Sequence, residues 1–242
     1  MKSWTYTVQV RDADFLDRMR PAAILDRFQE AATADWPYDH AQLLARGQVW
    51  ILARISARVL NTPKRYVGGD VLRTQTRHNM PGAAYVDRDF LITGENGDRL
   101  VEGTSRWCLL GARRGGLIRI RDCAFQNFPT EPAPRLADVP VEKLARVGAS
   151  AANALTFAVL PSDLDLNMHV NNAKYADYLF NAFSLEELKA SEIAFFSLNF
   201  LKELKCGQTV SVWKEKRGDK EYGFEIRDES GTLYLTAEMR FR

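Results

Sequence analysis

Residues 12–28, DADFLDRMRPAAILDRF, and residues 163–179, DLDLNMHVNNAKYADYL, align without a gap at an offset of 151. Asp12 meets Asp163, Asp14 meets Asp165, Ala22 meets Ala173 and Asp26 meets Asp177. An internal repeat decides an architecture before any single element does. Both segments lead from a polar, extended stretch into a helical one. In the first, Pro21 suits an opening helical turn, and Ile24, Leu25, Phe28, Ala31 and Ala32 form an apolar stripe. In the second, Asn171 or Asn172 is placed to cap the helix, and Ala176, Leu179, Phe180 and Phe183 form the stripe.

A second match follows in the same order. FLITGENGDRLVEGTSRW (90–107) aligns with FEIRDESGTLYLTAEMRF (224–241) at an offset of 134. Each reads as an alternating strand, a turn with Gly, and another strand. Further strands are expected near 48–60, 70–79, 83–93, 99–110 and 117–121, then near 193–204, 208–216, 221–228 and 233–241. One long helix per unit with a run of antiparallel strands is an α+β pattern. Between the units, FPTEPAPRLADVP (128–140) holds four prolines in thirteen residues, which predicts an extended crossover. VEKLARV (141–147) reads as one short helical piece.

The bulk composition is that of a globular chain: 242 residues, 46% hydrophobic and 26% charged. No apolar run approaches the ~18 residues of a membrane span. The N-terminus lacks a secretory apolar region and an Arg/Ser-rich transit pattern, and Cys108, Cys123 and Cys206 form no CxxC pair, so a reducing cytoplasm is expected. Residues 1–152 hold 22 Lys+Arg against 17 Asp+Glu, a net +5; residues 153–242 hold 11 against 14, a net −3. The basic half suits an acidic partner, while the absence of aromatic interleaving argues against nucleic acid.

No GxSxG elbow, Walker A loop, GxGxxG fingerprint or HExxH motif is present, and His40, His78 and His169 form no pair with metal-ligand spacing. Neither a metal nor a cofactor is expected. The chemistry gathers instead at 163–175. In an extended chain Asp165, Asn167 and His169 project to one side, and Leu166, Met168 and Val170 to the other, where they can bury. A helix start follows, whose unpaired N–H groups near Asn172 and Ala173 favour negative charge. Such a grouping suits an oxyanion site with an acid or base beside it. The first copy has Leu16 for Asn167 and Arg18 for His169, so it keeps the folding signals and lacks the chemistry.

LDLNMHVNNAKY (164–175), with SLNFLKELKCG (197–207) downstream, resembles the acyl-acyl-carrier-protein (acyl-ACP) thioesterases, both the plant plastid enzymes and their bacterial relatives. The resemblance covers nearly the whole chain and implies a tandem hotdog fold: two units, each a long helix wrapped by an antiparallel sheet. It implies an N-terminal hotdog at 1–127, a linker at 128–152 and a C-terminal hotdog at 153–242. By position, the family's proposed catalytic residues fall on Asp165, Asn167, His169 and Glu203. Where plant members often carry a cysteine after that glutamate, this chain has Leu204; Cys206 on a continuing strand would point away, so a Cys–His mechanism is not expected.

The implied reaction is hydrolysis of a fatty acyl thioester to free fatty acid and carrier thiol, in the cytoplasm of a bacterium. Either Glu203 or His169 would activate water; attack by a carboxylate through an anhydride is the other route. The acyl chain would lie in the first hotdog, against Ile24, Phe28, Trp36, Trp50 or Trp107. An acidic acyl carrier protein, bearing its fatty acyl-phosphopantetheine, would dock on Arg54, Arg58, Lys64 and Arg65. The chain would act as a monomer or homodimer. An acyl-CoA thioesterase and a non-catalytic acyl-binding protein are the competing readings on the same fold.

Overall fold

The structure, a computed structural model, describes residues 3–35, 40–64, 69–113, 115–124, 128–129 and 132–242. The first unit comprises β1 (Ser3–Thr7), α1 (Pro21–Asp35), α2 (His40–Ala45), β2 (Gln48–Val59), β3 (Val71–His78), β4 (Tyr85–Gly94) and β5 (Arg99–Gly111). The second comprises β6 (Ala152–Ala158), α3 (Asn172–Phe180), α4 (Leu185–Ala190), β7 (Ile193–Phe200), β8 (Thr209–Lys216), β9 (Glu221–Asp228) and β10 (Leu233–Phe241). All ten strands form one antiparallel sheet in the order β1-β3-β4-β5-β2-β7-β10-β9-β8-β6. The order reads the same from both ends once each strand is replaced by its repeat partner. This is a tandem hotdog, with the two units joined edge to edge.

The repeat is carried into backbone geometry. Asp17 and Met168, the only non-glycine residues with positive φ among those described, lie 151 residues apart and have φ of 62° and 61°. Gly97 and Gly231, 134 apart, turn the two matched hairpins with φ of 85° and 80°, a region that glycine enters without a steric cost. Helices α1 and α3 pack on each other against one sheet face, burying Leu25, Phe28, Ala176 and Leu179 with Ile55, Phe90, Leu198 and Phe224. At the seam between the units, residues Arg54–Arg58 of β2 pair with Phe195–Asn199 of β7, and Ser56 and Ser197 share a buried Oγ–Oγ hydrogen bond of 2.8 Å.

Two expected elements are replaced. Residues 117–121 form no strand; a single bridge at Leu117 is followed by a 3-10 turn at Ile120–Asp122. Residues 141–147 form no helix. The linker instead crosses the outer face of the sheet, and side chains of successive strands hold its backbone. Arg99 donates to Leu136 O (2.9 Å), Arg54 to Val141 O (3.1 Å) and Asn199 to Glu142 O (3.2 Å). Fully buried carboxylates pin both ends: Asp89 on β4 accepts from Arg135 (2.6 and 2.7 Å), and Glu225 on β9 accepts from Arg146 and from the Val147 amide (3.0 Å). A chain whose carbonyls are bonded one after another to a sheet cannot also close i→i−4 bonds.

Beyond the end of α1, Arg88 is 2% exposed and donates to Asp35 (3.0 Å), Thr76 Oγ1 (3.2 Å) and the His78 ring. A guanidinium can only donate, so the His78 nitrogen that it faces must accept, and the ring is neutral. Burial, then the Arg88 charge, lowers the His78 pKa from 6.5 to about 3. The native state therefore holds back a proton that the unfolded chain binds below pH 6.5. Stability is full above that pH and falls as pH drops towards about 3. His78→Gln should flatten this slope by up to one proton, measured as the difference in denaturation free energy between wild type and variant across pH 4–7.

Candidate active site

The loop before α3 is a turn, not the extended stretch expected. Met168 N–H donates to Asp165 O (3.1 Å), and Asp165 N–H donates to His169 O (2.8 Å). The Asp165 carboxylate accepts from the Asn167 amide (2.8 Å), an Asx turn, so its first task is to hold this backbone. Leu166 and Met168 do not bury: they are 102% and 68% exposed, and Val170 alone of the three is buried. The two-residue spacing that suggests a strand fits a tight turn equally well once Met168 takes a left-handed backbone. Asn167 stands exposed on the turn.

Glu203 also leaves its expected strand, since β7 ends at Phe200. The loop that carries it docks on the motif turn through Val170 N–H to Leu204 O (2.9 Å), with Leu204 fully buried as the anchor. That bridge brings His169 Nε2 to 3.0 Å from Glu203 Oε2, with side chains 29% and 60% exposed. Cys206 lies exposed in the following turn, off any strand. Tyr175, which sequence reasoning passed over, sits buried behind both loops with its ring against Phe200. Burial raises its pKa; the Leu204 amide opposes this, and the charges of Glu203 and Asp165 add to it, so it remains a neutral phenol. Its sequence signal was the paired tyrosines of YADY (175–178).

Asn171 is the cap: its Oδ1 accepts the Ala173 amide at 2.9 Å. Ala173 N–H is thereby spent on the helix's own start. Of the expected pair, the Asn172 amide is the one left to face a ligand. Asn172 and Ala173 open onto an apolar cleft walled by the first unit: Leu25, Phe28, Gln29 and Ala32 of α1, Leu52 and Ile55 of β2, Phe90, and Ser105 and Trp107 of β5. Its internal space is only about 20 Å³, because the buried Phe28 ring fills it, stacked on Phe90 at 4.5 Å. Gly103 makes this possible; a Cβ there would lie 2.2 Å from the Phe28 ring.

Of the expected acyl contacts, Phe28 and Trp107 line this cleft. Ile24 does not; it is buried in the main core and lines a second cleft. Trp50 packs in a separate cluster with Val86, Leu109 and Phe128. Trp36 lies outside the described residues, as does Arg65. Of the expected docking cations, Arg54 is bonded to the linker, and Arg58 to Glu102 (3.1 Å). Lys64 bridges the Arg18 backbone beside the second cleft.

That second cleft is the repeat partner of the first, built from the start of α1 and the sheet of the second unit. Pro21 stands where Asn172 stands and has no N–H to offer. Met19 N–H to Pro63 O (2.8 Å) repeats the Val170–Leu204 bridge, which puts Thr62 in the place of Glu203. Arg18, in the place of His169, pairs with Asp14 (2.9 Å) and donates to Ser191 O (2.9 Å) and Leu188 O (3.0 Å). The cleft is thus latched shut by the residue that replaces the histidine. Among the described residues, no group of three His, Cys, Asp or Glu side chains is placed to hold a metal.

Comparison with known proteins follows the same two-part division. The family profile of the acyl-ACP thioesterase N-terminal domain matches residues 2–127, and that of the acyl-ACP thioesterase C-terminal domain matches residues 148–242. A palmitoyl-acyl carrier protein thioesterase of Gossypium hirsutum is 27% identical over 173 residues, covering 69% of this chain and 40% of its own length. A dodecanoyl-[acyl-carrier-protein] hydrolase of Umbellularia californica is 26% identical over 211 residues, covering 83% and 54%. The chain thus spans about two fifths to a half of these curated relatives. Among solved structures, an acyl-ACP thioesterase from Bacteroides thetaiotaomicron superposes with a TM-score of 0.81 at 18% identity, covering 100% of this chain and 97% of that one. A 12:0-ACP thioesterase from Umbellularia californica gives 0.83 at 20%, covering 100% and 96%. At such identities these two structures speak to the fold alone.

Proposed function

This chain belongs to the acyl-ACP thioesterase family, and we propose that it hydrolyses fatty acyl-ACP to free fatty acid and the carrier thiol. The observation that carries the reading is the His169–Glu203 pair at 3.0 Å, on loops that adjoin a helix start opening onto an apolar cleft. Glu203 takes a proton from water, whose oxygen attacks the thioester carbonyl. The Asn172 N–H, at the positive end of α3, donates to the carbonyl oxygen as negative charge develops on it. Collapse of the tetrahedral adduct expels the thiolate, which His169 protonates; His169 regains a proton from Glu203 across their 3.0 Å contact, so both groups return to their starting states. Asp165 holds the turn, and Asn167 is exposed beside it to contact the substrate.

The acyl chain runs between α1 and the first unit's sheet, past Trp107 to Phe28. No helix among the described residues is long and apolar enough to cross a membrane. Low cysteine usage supports a reducing compartment such as the cytoplasm as the place of action. The test is hydrolysis of purified acyl-ACP against the matched acyl-CoA. A clear preference for acyl-CoA would reassign the substrate, and no turnover of either would remove the activity. Single-turnover hydrolysis in ¹⁸O-water tests for the other route: label in Glu203 or Asp165 requires an anhydride on that carboxylate.

A further inference from the structure

Arg54 and Arg58, first expected to meet the carrier, are engaged within the chain, and the structure offers another surface. Residues 111–124, GARRGGLIRIRDCA, carry four arginines against the single acid Asp122. Arg113 and Arg119 are exposed, with no ion pair among the described residues. Arg121 is exposed as well, with Asp122 3.8 Å away. Leu117 stands between them, 66% exposed. The segment is held in place rather than hanging free. Ala112 N–H donates to Gly47 O (2.8 Å), Gln48 Nε2 to Asp122 O (2.9 Å) and Ile120 N–H to Ala83 O (2.9 Å). Against the β3–β4 turn it leaves a groove of about 530 Å³, lined by Pro81, Ala83 and Phe128 and flanked by Arg119 and Arg121.

Its position relative to the candidate site follows from the strands. Leu52 lines the cleft beside Asn172, and Gln48, on which the arginine segment folds, begins the same strand. Four residues at ~3.3 Å each separate them, about 13 Å. That is within the span of an extended phosphopantetheine arm.

Resting on the reading as an acyl-ACP thioesterase, we propose that Arg113, Arg119 and Arg121, with Leu117 and the adjoining groove, form the docking surface for the carrier protein. Acidic side chains of the carrier meet the arginines, an apolar residue enters the groove, and the acyl arm runs along β2 to the cleft. Rim charges of this kind act on encounter and salt dependence, not on the chemical step.

The experiment compares wild type with the double variant R113E/R119E on two substrates, acyl-ACP and acyl-pantetheine, across ionic strength. The expected result is a rise in KM for acyl-ACP of about tenfold at low salt with kcat held, unchanged hydrolysis of acyl-pantetheine, and a loss of the salt dependence shown by wild type. A KM for acyl-ACP within twofold of wild type overturns the proposal. So does an equal fall on both substrates, provided the milder R119Q behaves alike. Binding of wild type to anionic phospholipid vesicles, lost in the variant while KM stays fixed, would assign the patch to a membrane instead. If wild type turns over acyl-pantetheine but shows no preference for the carrier-bound form, the functional reading itself falls, independently of the variants.

Discussion

Replacing His169 with Ala, or Glu203 with Gln, should lower kcat on acyl-ACP by about 10²–10⁴-fold. The fold should be retained, because the pair lies on loops with side chains 29% and 60% exposed. Polar pairs this open contribute little to stability. The double variant should cost scarcely more than the worse single one, since partners in one proton-transfer step are not additive. Thermal midpoints within a few degrees of wild type, measured beside the steady-state rates, separate lost chemistry from lost structure. Full activity in either single variant would remove this pair from the reaction. Asn167→Ala should act more weakly than either, because the turn is held by the Asn167 backbone amide and not by its side chain.

Phe28→Ala should have the largest effect on stability, and it should change which substrates are taken. The ring is fully buried and stacks on Phe90, so its loss should cost about 3–5 kcal/mol in denaturant unfolding. The cavity left behind adjoins a cleft whose own space is about 20 Å³. The rate ratio of palmitoyl- to octanoyl-ACP should therefore rise, and a ratio taken within one variant does not depend on how much of it is folded. Gly103→Ala pushes the other way, setting a Cβ against the ring and costing about 1–3 kcal/mol by overpacking. In the double variant the clash has no partner, so the two costs should sum to less than their parts. An unchanged palmitoyl-to-octanoyl ratio in Phe28→Ala would place the acyl path elsewhere.

The fold was legible because its shaping positions recur. The Asp12/Asp163 and Gly97/Gly231 pairs announced two units before any strand was located. The candidate site was legible as a group of residues that come close together, but not as a shape. A left-handed backbone at Met168 leaves no mark on the sequence, since methionine rarely adopts it. Asp, Asn and His at every second position then matched a strand by spacing alone. Glu203 was found by resemblance, whereas the Val170–Leu204 backbone bridge that delivers it to His169 involves no characteristic side chain. VEKLARV has helical spacing, and only the sheet beneath it shows why it stays extended. The charge of the first half pointed to an acidic partner, but counting could not show that Arg54 and Arg58 were already committed within the molecule.

The cleft takes its floor from α1 and the first sheet, and its reactive groups from loops of the second unit. On the proposed function, selectivity and reactivity therefore come from different halves of the chain. A chimera that joins the counterpart of residues 1–152 from one relative to the counterpart of residues 153–242 from another should take its acyl preference from the first parent and its turnover from the second. The two traits can drift separately, as long as the seam at Ser56 and Ser197 still closes. The Arg18 latch shows the other use of the same position: where the second unit has His169, the first has a fastener between the halves.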